Sequence, residues 1–153
     1  MRNLKFSILM CLVVVTAFCR NFTLFYLNDN LSPVSYTIDY EGDNAVAFLM
    51  EKLAQPVKDT ISFVPKELLR AYFFVERSLV IDLKSSAIKN LNFDQERYLL
   101  HQILRTIFEN FKGLDSVYIL IDGKRQDKLV NYVDIRYGFS RKIWSSWPVE
   151  GGL

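Results

Sequence analysis

Cysteine is scarce in this chain. The 153 residues hold two, Cys11 and Cys19, both within the first nineteen positions. The rest of the chain therefore has no thiolate nucleophile, no disulfide framework and no cysteine metal ligand. Histidine is scarcer still, with His101 alone. Metal or catalytic use of a histidine needs partners at fixed offsets, such as a second His one helical turn away, and there is none. His101 falls in the row Arg97, His101, Arg105 and Glu109, which predicts a solvated surface side chain. Four prolines and six glycines exclude collagen-like repeats, flexible linkers and low-complexity tracts, and no glycine-rich phosphate loop is present. An excess of one charge is also missing. There are 19 basic and 17 acidic residues, and Arg2 and Lys5 sit in an acid-free leader, so the remainder carries seventeen of each. That balance excludes a sizeable nucleic-acid footprint.

What is present is core material: half the residues are hydrophobic and 14% are aromatic, enough for one compact domain. Arg2 and Lys5 precede an apolar run over residues 6–19 that only Ser7 and Thr16 interrupt, and Arg20 stops it. This is the layout of a secretory signal peptide, with Val15-Thr16-Ala17 supplying small residues for a cut after Ala17. The alternative is an uncleaved N-terminal anchor, although the run is short of the ~20 residues a spanning helix needs. Cys19 closes the run as the lipidated cysteine of bacterial lipoproteins does, but bulky Phe18 and Arg20 fit that pattern poorly. Each reading implies an extracytoplasmic protein, membrane-anchored, periplasmic or secreted. The expected organisation is a signal peptide or N-terminal membrane anchor over 1–19, a single domain over 20–143 and an aromatic C-terminal tail over 144–153.

Within the domain, residues 23–27 (TLFYL) form a short β-type run ended by the Asn28-Asp29-Asn30 turn cluster, and residues 34–40 (VSYTIDY) alternate with period two. Asp43 is placed to cap a helix whose apolar stripe is Val46, Leu49, Met50 and Leu53, stopped by Pro56. Residues 69–75 and 78–83 read as a hairpin turning at Glu76-Arg77. A second helix starts at Asn92, with Gln95 as its capping-box partner, and carries Leu100, Ile103, Leu104, Ile107, Phe108 and Phe111 on one stripe. Lys112 suits its C-terminal end and Gly113 suits a left-handed cap. Residues 117–121 (VYILI) read as a strand buried on both faces, Asp122-Gly123 as a tight turn, and residues 132–136 (YVDIR) as the last strand. The expected fold class is α+β: a mixed β-sheet of about five to six strands, in the order ββαββαββ, with two helices packed on one face.

Few residues offer chemistry. Ser86-Ala87-Ile88-Lys89 matches an S-x-x-K pattern, but its companion elements are missing, so it reads as a polar connection. Asp82, Asp122 and Asp134 are the candidate paired carboxylates, with no third polar group in their neighbourhoods. Among the aromatics, Tyr36, Tyr40, Tyr132 and Tyr137 lie on edge-like strands. Trp144 and Trp147 close the chain, either as a contact surface or as a tail folded over an apolar sheet edge. The candidate interaction surface is Trp144, Trp147, Tyr132 and Tyr137. No catalytic, cofactor or metal site is predicted.

The ordered motifs resemble the GerMN domain of bacterial sporulation and spore-germination proteins. The resemblance is carried by residues 23–29 (TLFYLND), Leu31-Ser32-Pro33-Val34, the helix closing at Leu53, residues 63–69 (FVPKELL), Val80-Ile81-Asp82-Leu83, the helix before Lys112-Gly113-Leu114-Asp115-Ser116-Val117, residues 117–124 (VYILIDGK) and Val133-Asp134-Ile135. It covers about residues 23–138. Three positions depart from the pattern: Gln55 before Pro56, Asn131 before the last strand, and Glu76-Arg77-Ser78 at the hairpin. The resemblance implies a non-enzymatic, extracytoplasmic protein-interaction module of the bacterial envelope, without cofactor. Its partner would be an envelope protein or a second copy, with membrane association through the leader. A module binding cell-wall glycan or peptide is the alternative.

Overall fold

The computed structural model describes residues 20–144. The predicted leader over 1–19 and Trp147 lie outside the described residues. The first hairpin pairs β1 (Arg20–Leu27) with β2 (Pro33–Tyr40) in antiparallel register. Asn28 shapes the turn, its Oδ1 accepting from the N–H groups of Asn30 and Ser32 at 3.0 Å each. Helix α1 (Ala45–Leu53) follows and buries the expected stripe of Val46, Leu49, Met50 and Leu53. Its N-cap is Asn44, not Asp43, and no side chain closes the cap.

The second hairpin joins β3 (Leu69–Val75) to β4 (Ser78–Leu83) through Glu76-Arg77, where Glu76 takes φ 51°. A 3₁₀ turn (Ser85–Ala87), which contains Ser86, leads to α2 (Phe93–Asn110). The predicted capping box is present: Asn92 Oδ1 accepts from the Gln95 N–H at 2.9 Å, and Gln95 Oε1 accepts from the Asn92 N–H at 3.0 Å. After α2 come β5 (Ser116–Ile121), β6 (Phe139–Ser140) and the short α3 (Arg141–Trp144). Helix α2 is the crossover that lets β4 and β5 pair in parallel, while β3–β4 and β5–β6 are antiparallel.

The class is α+β, with six strands among the described residues in the order ββαββαββ. The strands divide into two sheets, β1-β2 and β3-β4-β5-β6, where one was expected. The reason lies on α2. Its polar row Gln102, Thr106 and Asn110 occupies the free edge of β1, so β1 runs beside a helix and not beside another long strand. Asn110 receives the Thr23 N–H at 2.8 Å and donates to the Thr23 carbonyl at 2.7 Å. Thr106 Oγ1 accepts from Phe25 N–H at 3.2 Å, and Gln102 donates to the Phe25 carbonyl at 3.2 Å. Leu27 completes the edge by exchanging two hydrogen bonds with Ile61, at 3.0 and 2.7 Å.

The core lies between the four-stranded sheet and the helices. Leu79, Ile81 and Leu83 from β4 and Val117, Ile119 and Ile121 from β5 meet Leu99, Leu100, Ile103, Leu104, Ile107 and Phe108 from α2.

Four further expectations are corrected. Strand β5 is buried on one face only: Tyr118, between two core residues, is exposed, because both long helices lie on the other side of the sheet. Residues 132–136 form no strand, and β6 pairs with β5 in their place. The N–H groups of Asn131, Tyr132 and Val133 all donate to the buried Glu96 carboxylate, at 2.7 to 3.3 Å, so they are unavailable to a ladder. Gly113 is not in the left-handed region. The C-terminal end of α2 is closed by Arg141, whose guanidinium donates to the carbonyls of Phe108, Phe111 and Leu114 at 2.6 to 2.7 Å. His101 is not a surface residue: it is 4% exposed, packed against Trp144 with the rings tilted at 45° and their centroids 4.6 Å apart. Burial first, and the neighbouring Arg97 and Arg105 charges second, push its pKa down to about 4.

Candidate functional site

The three candidate carboxylates have structural partners. Asp82, buried on β4, accepts from Arg70 Nη1 at 2.5 Å and from the Gly123 N–H at 2.8 Å. That second bond requires a close backbone approach: Gly123 has φ 76°, and a Cβ there would meet Arg70 Nη1 at 3.1 Å. Asp122 accepts from the Ser85 hydroxyl at 2.6 Å and its N–H at 3.2 Å, and these bonds lower its pKa. Asp82 and Asp122 thus meet at one turn, where they clasp the end of β5 to β4 and to the 3₁₀ turn. Asp134 is elsewhere, hydrogen-bonded to Arg136, which holds its pKa down to about 2. Among the described residues, no group of three or more His, Cys, Asp or Glu is placed to hold a metal ion.

The aromatic candidates occupy three settings. Tyr132 is about half exposed, with its ring edge-on to Phe93 at 6.1 Å. Tyr137, at 73%, is the most exposed of the large hydrophobic side chains among the described residues, and the Arg136 guanidinium lies 5.6 Å from its ring centre. Both belong to the segment anchored by Glu96. Trp144 is half-buried between His101 and Phe139, the latter edge-on at 4.8 Å. It packs on the helical side of the molecule, the side away from the exposed sheet face. Trp147 lies outside the described residues.

The broadest apolar exposure is one that sequence reasoning missed. On the sheet face opposite the helices, Phe73, Val80 and Tyr118 stand directly across from one another on β3, β4 and β5. Val75 and Leu120 flank this row, and with Ile135 they line an open concavity of about 440 Å³. Charged Arg125, Arg136 and Glu76 line it as well. Phe73, Val75 and Tyr118 are 48%, 51% and 39% exposed. Monomers seldom leave such a continuous apolar patch uncovered without a use for it. The signal was in the sequence: two helices on one side of a sheet leave the other side bare, so alternate residues of each strand must face water. An apolar floor with charged groups beside it suits contact with another macromolecule.

The comparisons with known proteins agree with this fold. Residues 23–127 match the family model Germane, described as sporulation and spore germination. The tandem GerMN domains of the sporulation protein GerM from Bacillus subtilis superpose with a TM-score of 0.68 at 17% identity. That alignment covers 81% of this chain and 47% of the tandem structure, so the chain spans about half its length. The first GerMN domain of the same protein gives a TM-score of 0.68 at 16% identity, over 80% of this chain and 98% of that domain. A candidate lipoprotein from Clostridium perfringens gives a TM-score of 0.55 at 21% identity, over 81% of this chain and 89% of its own. No curated protein sequence matches the chain.

Proposed function

Given that the chain belongs to the Germane family of sporulation and spore-germination domains, we propose that it works as a non-enzymatic protein-interaction module outside the cytoplasmic membrane. The observation that carries this reading is the bare apolar face of the four-stranded sheet, centred on Phe73, Val80 and Tyr118. The carboxylates that a hydrolase would need are engaged with Arg70, Gly123, Ser85 and Arg136. The envelope location rests on the leader pattern of residues 1–19 and on the likeness to a candidate lipoprotein. Among the described residues no helix is long and apolar enough to cross a membrane. The partner is an envelope protein or another copy of the chain.

A photoreactive residue placed at Tyr118, compared with one at exposed Lys58, tests the reading in living cells. A discrete protein adduct from the Tyr118 position alone is the expected result. Adducts from Lys58 but none from Tyr118, or substrate turnover by purified protein that Asp82→Asn abolishes, would overturn it. The second reading, binding of cell-wall glycan or peptide, is favoured by the exposed rings of Tyr132 and Tyr137. Co-sedimentation with purified peptidoglycan, lost in Tyr132→Ala/Tyr137→Ala, would select it.

A further inference from the structure

Strand β3 is an outer strand of the four-stranded sheet: β4 pairs with one side and, among the described residues, no strand pairs with the other. It is an unusual strand to leave bare. Its sequence is LRAYFFV, and Phe73, Phe74 and Val75 are each about half exposed, on both faces of the sheet. A long apolar edge with free N–H and C=O groups is a template for pairing with another chain, and native proteins ordinarily blunt it with lysine, proline or a cover. Residues 69–75 contain neither lysine nor proline.

The tight Glu76-Arg77 connection fixes which backbone groups are free. Val75 and Ser78 flank a two-residue loop, so they form a hydrogen-bonded pair, and Phe73 and Val75 turn their N–H and C=O toward β4. Tyr72 and Phe74 then point theirs away from it. We infer that two copies of this chain join antiparallel through their β3 edges, with Phe73 opposite Phe73 on the two-fold axis. In that register Tyr72 of each copy faces Phe74 of the other, so the free backbone groups meet one another. At the ends, Arg70 faces Glu76 of the second copy. Arg70 is the extra residue of a bulge and gives one guanidinium nitrogen to Asp82, while its side chain stays 52% exposed with other donors to offer. Shifting the register by two residues keeps the backbone pairing but sets Arg70 against Phe74, so the charges choose the register. The arrangement is isologous, as a two-fold dimer requires. It also joins the two open faces, because Phe73, Val75 and Glu76 line the concavity of each copy.

This inference rests on the proposed interaction role and names one partner for it, so a monomeric chain would refute the pairing and leave the Tyr118 contact standing. The test uses the full chain in mild detergent with Cys11→Ser and Cys19→Ser. Sedimentation equilibrium at tens of micromolar is expected to give a two-chain mass, and Glu76→Arg to weaken the association about tenfold. Phe73→Cys is expected to form a disulfide dimer on oxidation, since directly opposed Cβ atoms lie about 4.5–5.5 Å apart. Val75→Cys alone should not, because its two copies would be about 13 Å apart, whereas Ala71→Cys mixed with Val75→Cys should. A one-chain mass for the unsubstituted protein, or oxidation that links Val75→Cys as readily as Phe73→Cys, would overturn the pairing.

Discussion

Two sheet edges in this molecule receive opposite treatment. Along β1, the outward backbone groups of Thr23, Phe25 and Leu27 are met one after another by Asn110, Thr106, Gln102 and Ile61. Along β3, half-exposed Phe73, Phe74 and Val75, with Arg70 near the strand's start, border an edge that no strand meets among the described residues. Both strands are largely apolar and of similar length, eight and seven residues, so propensity does not separate them. The difference is that β1 lies against a helix whose residues 102, 106 and 110 recur every four positions and face it. An edge is closed by supplying polar side chains at the spacing of its own hydrogen bonds. Where that supply is missing, the backbone retains capacity for a partner.

The largest expected effect comes from opening the closed edge. Gln102 is fully buried, and it accepts from the Phe63 N–H at 2.8 Å while donating to the Phe25 and Ile61 carbonyls. Gln102→Leu strands the Phe63 N–H and the Phe25 carbonyl, while the Ile61 carbonyl keeps its bond from the Leu27 N–H, and is expected to cost about 4 kcal/mol, at roughly 1–3 for each buried group left unpaired, read from denaturant unfolding. Next comes acid, acting on the same helix. The folded pKa of His101, at about 4, lies below its unfolded value of 6.5. Its contribution is therefore present above pH 6.5 and is lost as pH falls toward 4. Between pH 7 and 5 the loss is about 2 kcal/mol; His101→Gln should flatten that part of the stability profile. Thr106→Val, which removes the single acceptor for Phe25 N–H, should cost about 1 kcal/mol. At the bare edge, Phe73→Lys should change unfolding by no more than about 0.5 kcal/mol, compared at a dilution where both chains are monomeric, while abolishing the two-chain mass at tens of micromolar. If Phe73→Lys destabilised the chain as much as Gln102→Leu, the contrast between the edges would be lost.

Much of this fold was legible in the sequence because its signals are local. The capping box at Asn92 and Gln95, the stripe from Leu100 to Phe108, and the turns at Glu76-Arg77 and Asp122-Gly123 each depend on residues a few positions apart. What the sequence hid depends on distance in the chain. Gln102, Thr106 and Asn110 look like ordinary polar helix positions until β1, some eighty residues earlier, is seen to need them. His101 reads as surface beside Arg97 and Arg105, but Trp144 covers it. Residues 132–136 alternate like a strand, yet the Glu96 carboxylate takes the N–H groups of Tyr132 and Val133, and the Asp127 carbonyl takes that of Ile135. Of the expected contact residues, Tyr132 and Tyr137 are exposed and Trp144 is tucked in. The Phe73–Val80–Tyr118 row was overlooked because VYILI was read as buried on both faces, although two helices on one face of the sheet already implied a bare opposite face.

Arg141 has a mechanical meaning. Its side chain grips three carbonyls around the end of α2, and its own N–H donates to the Asp115 carbonyl at 2.9 Å. Tension applied beyond Trp144 would first unwind α3 and then load these four bonds together, like rivets in shear and not like a zipper opened from one end. Strain from a tethered tail would be halted at the helix, and the sheet would keep its shape under pull.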